Sequence, residues 1–137
     1  HEAVYRKEAK SLELESIVHF TGHLENPFSA LHALDAFALL STANEGVSQA
    51  ILQAAYLAKP LIATDVGGLG EVCLHRKTGL QVAPFSPQQV ADAVLEVKEN
   101  WILSQDLGLQ AKLLVEEHFT FTQTLRKMEE VYQEVLL

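Results

Sequence analysis

Along the chain, hydrophobic positions change their spacing in a way that predicts helices alternating with strands. Val4, Ala9 and Leu12 recur near helical spacing and predict a helix over 3–12. Ile17-Val18-His19-Phe20 is a short β-prone run ended by Thr21-Gly22, which predicts a strand over 17–20. Pro27 suits the first turn of a helix reaching Leu34. Ala36-Phe37-Ala38-Leu39-Leu40 is apolar without alternation, as in a strand covered on both faces. Beyond it the pattern predicts a helix over 46–58, a strand over 61–64, a short helix over 69–74 and a last strand over 79–83. Ser86-Pro87 supplies a cap and a first helical position, with Val90, Ala93, Val94 and Val97 as the apolar stripe behind them. Two further helices are expected over 102–117 and 121–136.

Strands alternating with helices imply an α/β fold, a Rossmann-like doubly wound parallel sheet covered on both faces. In such sheets ligands bind beyond the carboxyl ends of the strands, where loops meet helix N-termini. Two loops meet that condition, 41–46 after the strand at 36–40 and 65–68 after the strand at 61–64. There is no internal repeat, low-complexity tract or interdomain linker, so 1–137 reads as one domain or a piece of one.

Bulk composition narrows the classes. A hydrophobic fraction of 48% is that of a globular chain. A net charge of −8 with scattered Lys and Arg argues against nucleic acid as a partner, because phosphate contacts need clustered cations. The single cysteine, Cys73, excludes an internal disulfide, fits a reducing compartment and reads as a buried packing residue on an apolar helix face. No apolar run approaches the ~20 residues of a membrane span, and the opening HEAVYRKEAK does not read as a secretory signal. The expected location is cytoplasmic, with a peripheral site at the inner membrane as the alternative for a full-length form.

The candidate chemistry lies in NEGVSQAILQAAYLAKPLIATDVGGLGE, residues 44–71. Gly46 removes a side chain where the first free amides of a helix point outward, and those amides together with the helix dipole favour an anion such as phosphate. Glu45 would repel that anion and makes better sense as an acceptor for sugar hydroxyls. Gln53 lies eight residues on, and eight helical residues rise ~12 Å with a little more than two rotations. A sugar at Glu45, phosphates at the amides of Gly46, Val47 and Ser48, and a ribose at Gln53 would together describe a nucleotide sugar. Plainer roles stand beside these. Glu45 also complements a helix dipole, Gln53 also suits a solvated helix face, and Gly67-Gly68 also suits a strand-to-helix turn needing positive φ. Asp65 reads as a turn acceptor. His19, His23 and His32 fall on different elements and read as surface or packing residues.

The order S-x3-E-G-x6-Q-A-x4-K-P-L-I-A-T-D-V-G-G-x2-E-V, followed by T-G-L-Q-V-A-P, resembles the family 4 retaining glycosyltransferases of GT-B fold. SIVHFTGHL is similar to the strand that passes the nucleobase, LHALDAFALLS to the strand leading to the acidic loop, and FSPQQVADAVLEV and EEHFTF to the closing helices. The resemblance implies that 1–137 is a partial C-terminal, nucleotide-sugar-binding domain. It implies a UDP- or GDP-linked donor, no cofactor and no required metal. It also implies an acceptor domain N-terminal to this one in the same polypeptide, and retaining hexosyl transfer in glycan or glycolipid biosynthesis.

By the same resemblance Glu45 matches the first of two acidic positions and is the catalytic, sugar-contacting residue. Gly46, Val47 and Ser48 match the amides that approach sugar and phosphates, with Gly67 and Gly68 on the adjoining donor-binding turn. The family's second acid, the ribose ligand, falls on Gln53. A neutral amide offers one acceptor oxygen where a carboxylate offers two, which implies weaker ribose binding.

Relatives open this domain with two strands and an Arg–Lys pair that holds the diphosphate, and neither precedes residue 3 here. The sheet is therefore expected to be incomplete on its N-terminal side. Either 17–20 pairs directly with 36–40, or another chain completes the sheet, and the fragment alone is inactive. Three other readings stay open: a pseudoenzyme or binding module impaired at Gln53, a GT-B sugar-nucleotide epimerase or phosphorylase relative, and a generic α/β interaction domain.

Overall fold

The computed structural model describes residues 2–43 and 45–136. Among these, three short strands form one parallel sheet in the order β1-β2-β3, with β1 at Phe37–Leu39, β2 at Leu61–Thr64 and β3 at Gly79–Val82. Register pairs Ala38 with Ile62 and Ile62 with Leu80. Around the sheet lie α1 (Glu2–Ser11), α2 (Pro27–Ala33), α3 (Gln49–Tyr56), α4 (Pro87–Glu99), α5 (Trp101–His118) and α6 (Phe121–Leu136), with a 3₁₀ segment at Gly67–Glu71.

The central strand explains the layering. All four residues of β2 are buried, and alternation sends successive side chains to opposite faces. Leu61 and Ala63 join Ile51, Ala54 and Ala55 of α3, Leu69, and Ala111 of α5 in one core. Ile62 joins Leu80, Val82, Ala93, Val97 and Leu107 in a second core on the other face. A strand covered on both sides has no use for polar alternation, which is why LIAT reads as a continuous apolar run. Helix α5 serves both faces through a stripe of Ser104, Leu107, Gly108, Ala111 and Val115.

The two margins of the sheet differ. On β3, His75 Nδ1 accepts from the Gln81 N–H at 3.1 Å and Gln89 Oε1 accepts from the Ala83 N–H at 2.8 Å. Side chains thus occupy an outward amide of that strand and the one just past its end. On β1, no described residue pairs beyond the strand, and Ala38 and Leu40 are exposed.

Residues 17–20 do not form the expected strand. The Ile17 and Val18 amides close a turn onto the Leu14 carbonyl, and Ile17 remains 69% exposed. A strand exists only through a hydrogen-bonded neighbour, and β1 takes β2 alone, so a β-prone sequence is insufficient. The expected direct pairing of 17–20 with 36–40 is absent; Phe20 instead lies under the Arg6 guanidinium, 4.6 Å from its ring centre. Helix α6 buries none of its residues, and Phe121, Leu125, Met128, Tyr132 and Val135 line one exposed stripe.

Other boundaries shift for local reasons. The helix expected over 46–58 is only Gln49–Tyr56. Ser48 is its N-cap in extended conformation, φ −69 and ψ 132, with Oγ accepting from Ala50 N–H. Its far end closes when Ala58 takes φ 54, so that Ala58 N–H reaches the Ala55 carbonyl and Lys59 N–H the Ala54 carbonyl. The short helix expected over 69–74 begins earlier, at Gly67, and is 3₁₀. Pro87 opens α4 as expected, but Ser86 caps it without a side-chain hydrogen bond. No described helix is long and apolar enough to cross a membrane.

Candidate functional site

Because β1 and β2 run parallel, the chain leaves both at the same edge of the sheet. The loop after β1 carries Ser41, Glu45 and Gly46, while Asn44 lies outside the described residues. The turn after β2 carries Asp65 and Gly67-Gly68. Two hydrogen bonds fasten one loop to the other, and a third braces the first loop internally. Thr64 Oγ1, on a residue only 3% exposed, donates to the Ser41 carbonyl at 2.6 Å. Ser41 Oγ donates to Glu45 Oε2 at 2.5 Å, and the Gly68 N–H donates to the Glu45 carbonyl at 2.9 Å. Glu45 is half-buried, held by its side chain from Ser41, just past β1, and by its main chain from the 3₁₀ segment.

The glycine pair is required by this junction. A methyl group on Gly67 would stand 1.9 Å from the Glu45 carbonyl oxygen, and Gly67 has φ +54. One on Gly68 would stand 2.7 Å from Val47 N. Both the positive-φ turn and a close backbone approach are therefore present, and the backbone approached is that of Glu45–Val47. Gly46 is different. Nothing lies within 4 Å of where its Cβ would be, and its φ is not in the left-handed region. Neither packing nor conformation asks for glycine at 46, which leaves open space directly beside a fixed carboxylate.

Val47 packs on the core and anchors the loop, and Ser48 turns it into α3. Among the described residues, the N–H groups of Gly46, Val47 and Ser48 meet no backbone acceptor. Glu45 and Gly46 precede the helix rather than opening it, so the carboxylate belongs to the loop and not to the first helical turn. The continuous-helix spacing between Glu45 and Gln53 fails for the same reason, since the helix covers only the second half of that interval. Gln53 is half-buried on α3 in a groove of about 300 Å³ lined by Phe28, Gln49, Leu52, Tyr56, Phe119 and Thr120 among others. The structure thus gathers Glu45, Gly46, Val47, Ser48, Gly67 and Gly68 at one junction and sets Gln53 along the helix that leaves it.

Two side chains in this arrangement had no role assigned from sequence. Ser41 is the first letter of S-x3-E-G, and only its contact with Glu45 reveals its use. Thr64 reads from sequence only as the end of a strand, yet its buried hydroxyl crosses to the other loop. The loops 40–48 and 65–68 contain no Lys or Arg. The basic cluster lies elsewhere, before β3, where Arg76 pairs with Glu96 at 2.8 Å. Cys73 is buried, and that burial pushes its thiol up to about 12 against a weaker opposing effect from the Ala63 backbone, so it packs as a neutral thiol. His19, His23 and His32 are all exposed.

Comparison with known proteins follows the same lines. The family described as glycosyl transferases group 1 matches residues 1–114. The chain is 31% identical over 127 residues to N-acetyl-alpha-D-glucosaminyl L-malate synthase of Bacillus anthracis, covering 93% of this chain and 33% of that protein. It superimposes on Anabaena Alr3699/HepE in complex with UDP with a TM-score of 0.91 at 23% identity, over 96% of this chain and 36% of that one. On the C-terminal domain of the group 1 glycosyl transferase LpcC from Francisella tularensis the TM-score is 0.78 at 24% identity, over 88% of this chain and 63% of that one. At these identities the two structures speak for the fold alone. The chain spans a third or less of the length of the first curated relatives it matches. By its α/β fold of GT-B type and the match over residues 1–114, the chain belongs to the glycosyl transferases group 1 family.

Proposed function

We propose that this chain is the nucleotide-sugar-binding, C-terminal part of a family 4 retaining glycosyltransferase. The observation that carries the reading is the pairing of Glu45, whose carboxylate is fixed in place, with an open, sterically unexplained Gly46 at the carboxyl edge of the sheet. Support comes from the HepE structures of the same fold, which hold UDP and UDP-glucose.

Glu45 accepts from hydroxyls of the transferred hexosyl group. The amides of Gly46, Val47 and Ser48, at the mouth of α3, donate to sugar and phosphate oxygens. Glycosyl transfer develops an oxocarbenium-like sugar while the departing diphosphate gathers negative charge. Oriented N–H groups that need no rearrangement stabilise that charge electrostatically. The Gly68 N–H is already committed to the Glu45 carbonyl, so the glycine pair serves the donor through the Gly67 N–H and through a surface without side chains. Gln53 offers a single acceptor to the ribose. These loops hold no cation to neutralise the diphosphate, so the rest of that charge is met by a part of the polypeptide outside this sequence, alongside an acceptor-binding domain. By the family resemblance, the reaction proceeds without a required metal. The chemistry suits glycan or glycolipid assembly on the cytoplasmic side.

One observation favours a second reading. Gln53 is neutral where a ribose ligand is expected to be acidic, as in a binding module with impaired donor affinity. Calorimetric titration of the full-length protein with UDP-glucose, UDP-N-acetylglucosamine and GDP-mannose tests both. Micromolar binding of one donor supports the transferase, whereas no measurable binding of any supports the impaired module. Turnover of a donor by epimerisation, without an acceptor, would sink the transferase reading.

A further inference from the structure

We infer that Ser41 is a positioning residue for Glu45, backed by Thr64. This rests on the reading of Glu45 as the sugar-contacting carboxylate. A glutamate on a loop ordinarily explores several rotamers, and fixing them upon ligand binding lowers affinity. Here the hydroxyl of Ser41 donates to Oε2 at 2.5 Å, a hydrogen bond strengthened by the carboxylate charge. Oε1 accepts no hydrogen bond among the described residues, so one oxygen is restrained while the other stays available to a sugar hydroxyl.

Ser41 is itself held. Its carbonyl accepts from Thr64 Oγ1 at 2.6 Å, and Thr64 is the buried last residue of β2. The main chain of Glu45 is fixed independently by the Gly68 N–H. The carboxylate is therefore aimed before any ligand arrives, from a rigid strand through two hydroxyl groups. Asp65, the nearer acid in sequence to the strand end, receives no such support. It is exposed, and no described side chain bonds its carboxylate.

The test uses the full-length protein and the calorimetric affinity for whichever of UDP-glucose, UDP-N-acetylglucosamine and GDP-mannose it binds. Ser41→Ala is expected to weaken binding about tenfold, the size of one lost hydrogen bond to a charged group. Ser41→Thr, which keeps the hydroxyl, should restore most of that loss. In a Glu45→Ala background, Ser41→Ala should have no further effect, because its partner is gone. Melting temperature serves as the control, since a merely structural Ser41 would lower it equally in both backgrounds. Wild-type affinity in Ser41→Ala beside a weakened Glu45→Ala overturns the positioning role, as does an equal loss in both backgrounds. Wild-type affinity in Glu45→Ala, or no donor bound by the wild type, instead removes the underlying reading of Glu45.

Discussion

Replacing Gly67 by alanine separates two kinds of glycine that the sequence displays alike. The new methyl would lie 1.9 Å from the Glu45 carbonyl oxygen, so the two loops must part by more than an ångström to reach ordinary contact. Alanine at φ +54 costs about 1–2 kcal/mol against the permitted glycine. Separation also breaks the 2.9 Å bond from Gly68 N–H to the Glu45 carbonyl, worth about 0.5–1.5 kcal/mol. Together these come to about 1.5–3.5 kcal/mol, before any repacking of Val47. Gly46→Ala meets nothing within 4 Å and has no left-handed φ to violate, so its effect should stay within about 0.5 kcal/mol. Urea unfolding followed by circular dichroism reads the difference as a lower midpoint for Gly67→Ala at unchanged slope. Donor titration then completes the contrast, because Gly46→Ala, stable as it is, should still lose affinity by filling the open space beside Glu45. Equal urea midpoints for the two variants would refute the reasoning about the junction.

Three further outcomes are expected. Ala58→Gly should raise stability by up to about 1 kcal/mol in the same urea assay, since Ala58 holds φ 54 at the end of α3 where glycine is unstrained. Cys73 should resist a thiol reagent at pH 8 until the protein is unfolded. Its thiol rises from 9.0 to about 12 in the fold, so the native state holds that proton more tightly than the unfolded chain. The contribution is complete below pH 9.0 and lost as pH climbs toward 12, visible as a falling melting temperature over that range. Gln53→Glu should tighten nucleotide-sugar binding about fivefold to tenfold, because a charged acceptor strengthens a hydrogen bond to ribose. An unchanged dissociation constant would remove Gln53 from the ribose site.

Most of the scaffold was legible because its signals are local. LIAT announces a strand buried on both faces, and Pro87 announces the start of α4. The strand expected at 17–20 failed because strand formation is a property of pairs, and the composition of IVHF says nothing about its neighbour. The start of α3 was misplaced because Glu45-Gly46 satisfies the general preferences of a helix mouth, whereas the Ser48 hydroxyl decides where the helix begins. Of the candidate site, Glu45 and the glycines stand out because they occupy the two loops that follow neighbouring strands. What Gly67 is for could not, since its constraint is the carbonyl of a residue 22 positions earlier, reached only after folding. The same holds for Thr64, whose partner Ser41 is 23 positions away.

The unlike margins of the sheet bear on how copies of this fold can associate. A template for β-addition must present outward amides, and along β3 and just past it those of Gln81 and Ala83 are taken by His75 and Gln89. Among the described residues, only the β1 side is open to a further strand. If two copies met there, each would use its single receptive margin, and the joined sheet would end on both sides in occupied amides. Among the described residues the sheet can therefore be extended past β1, whether by further polypeptide or by a second copy, and not past β3.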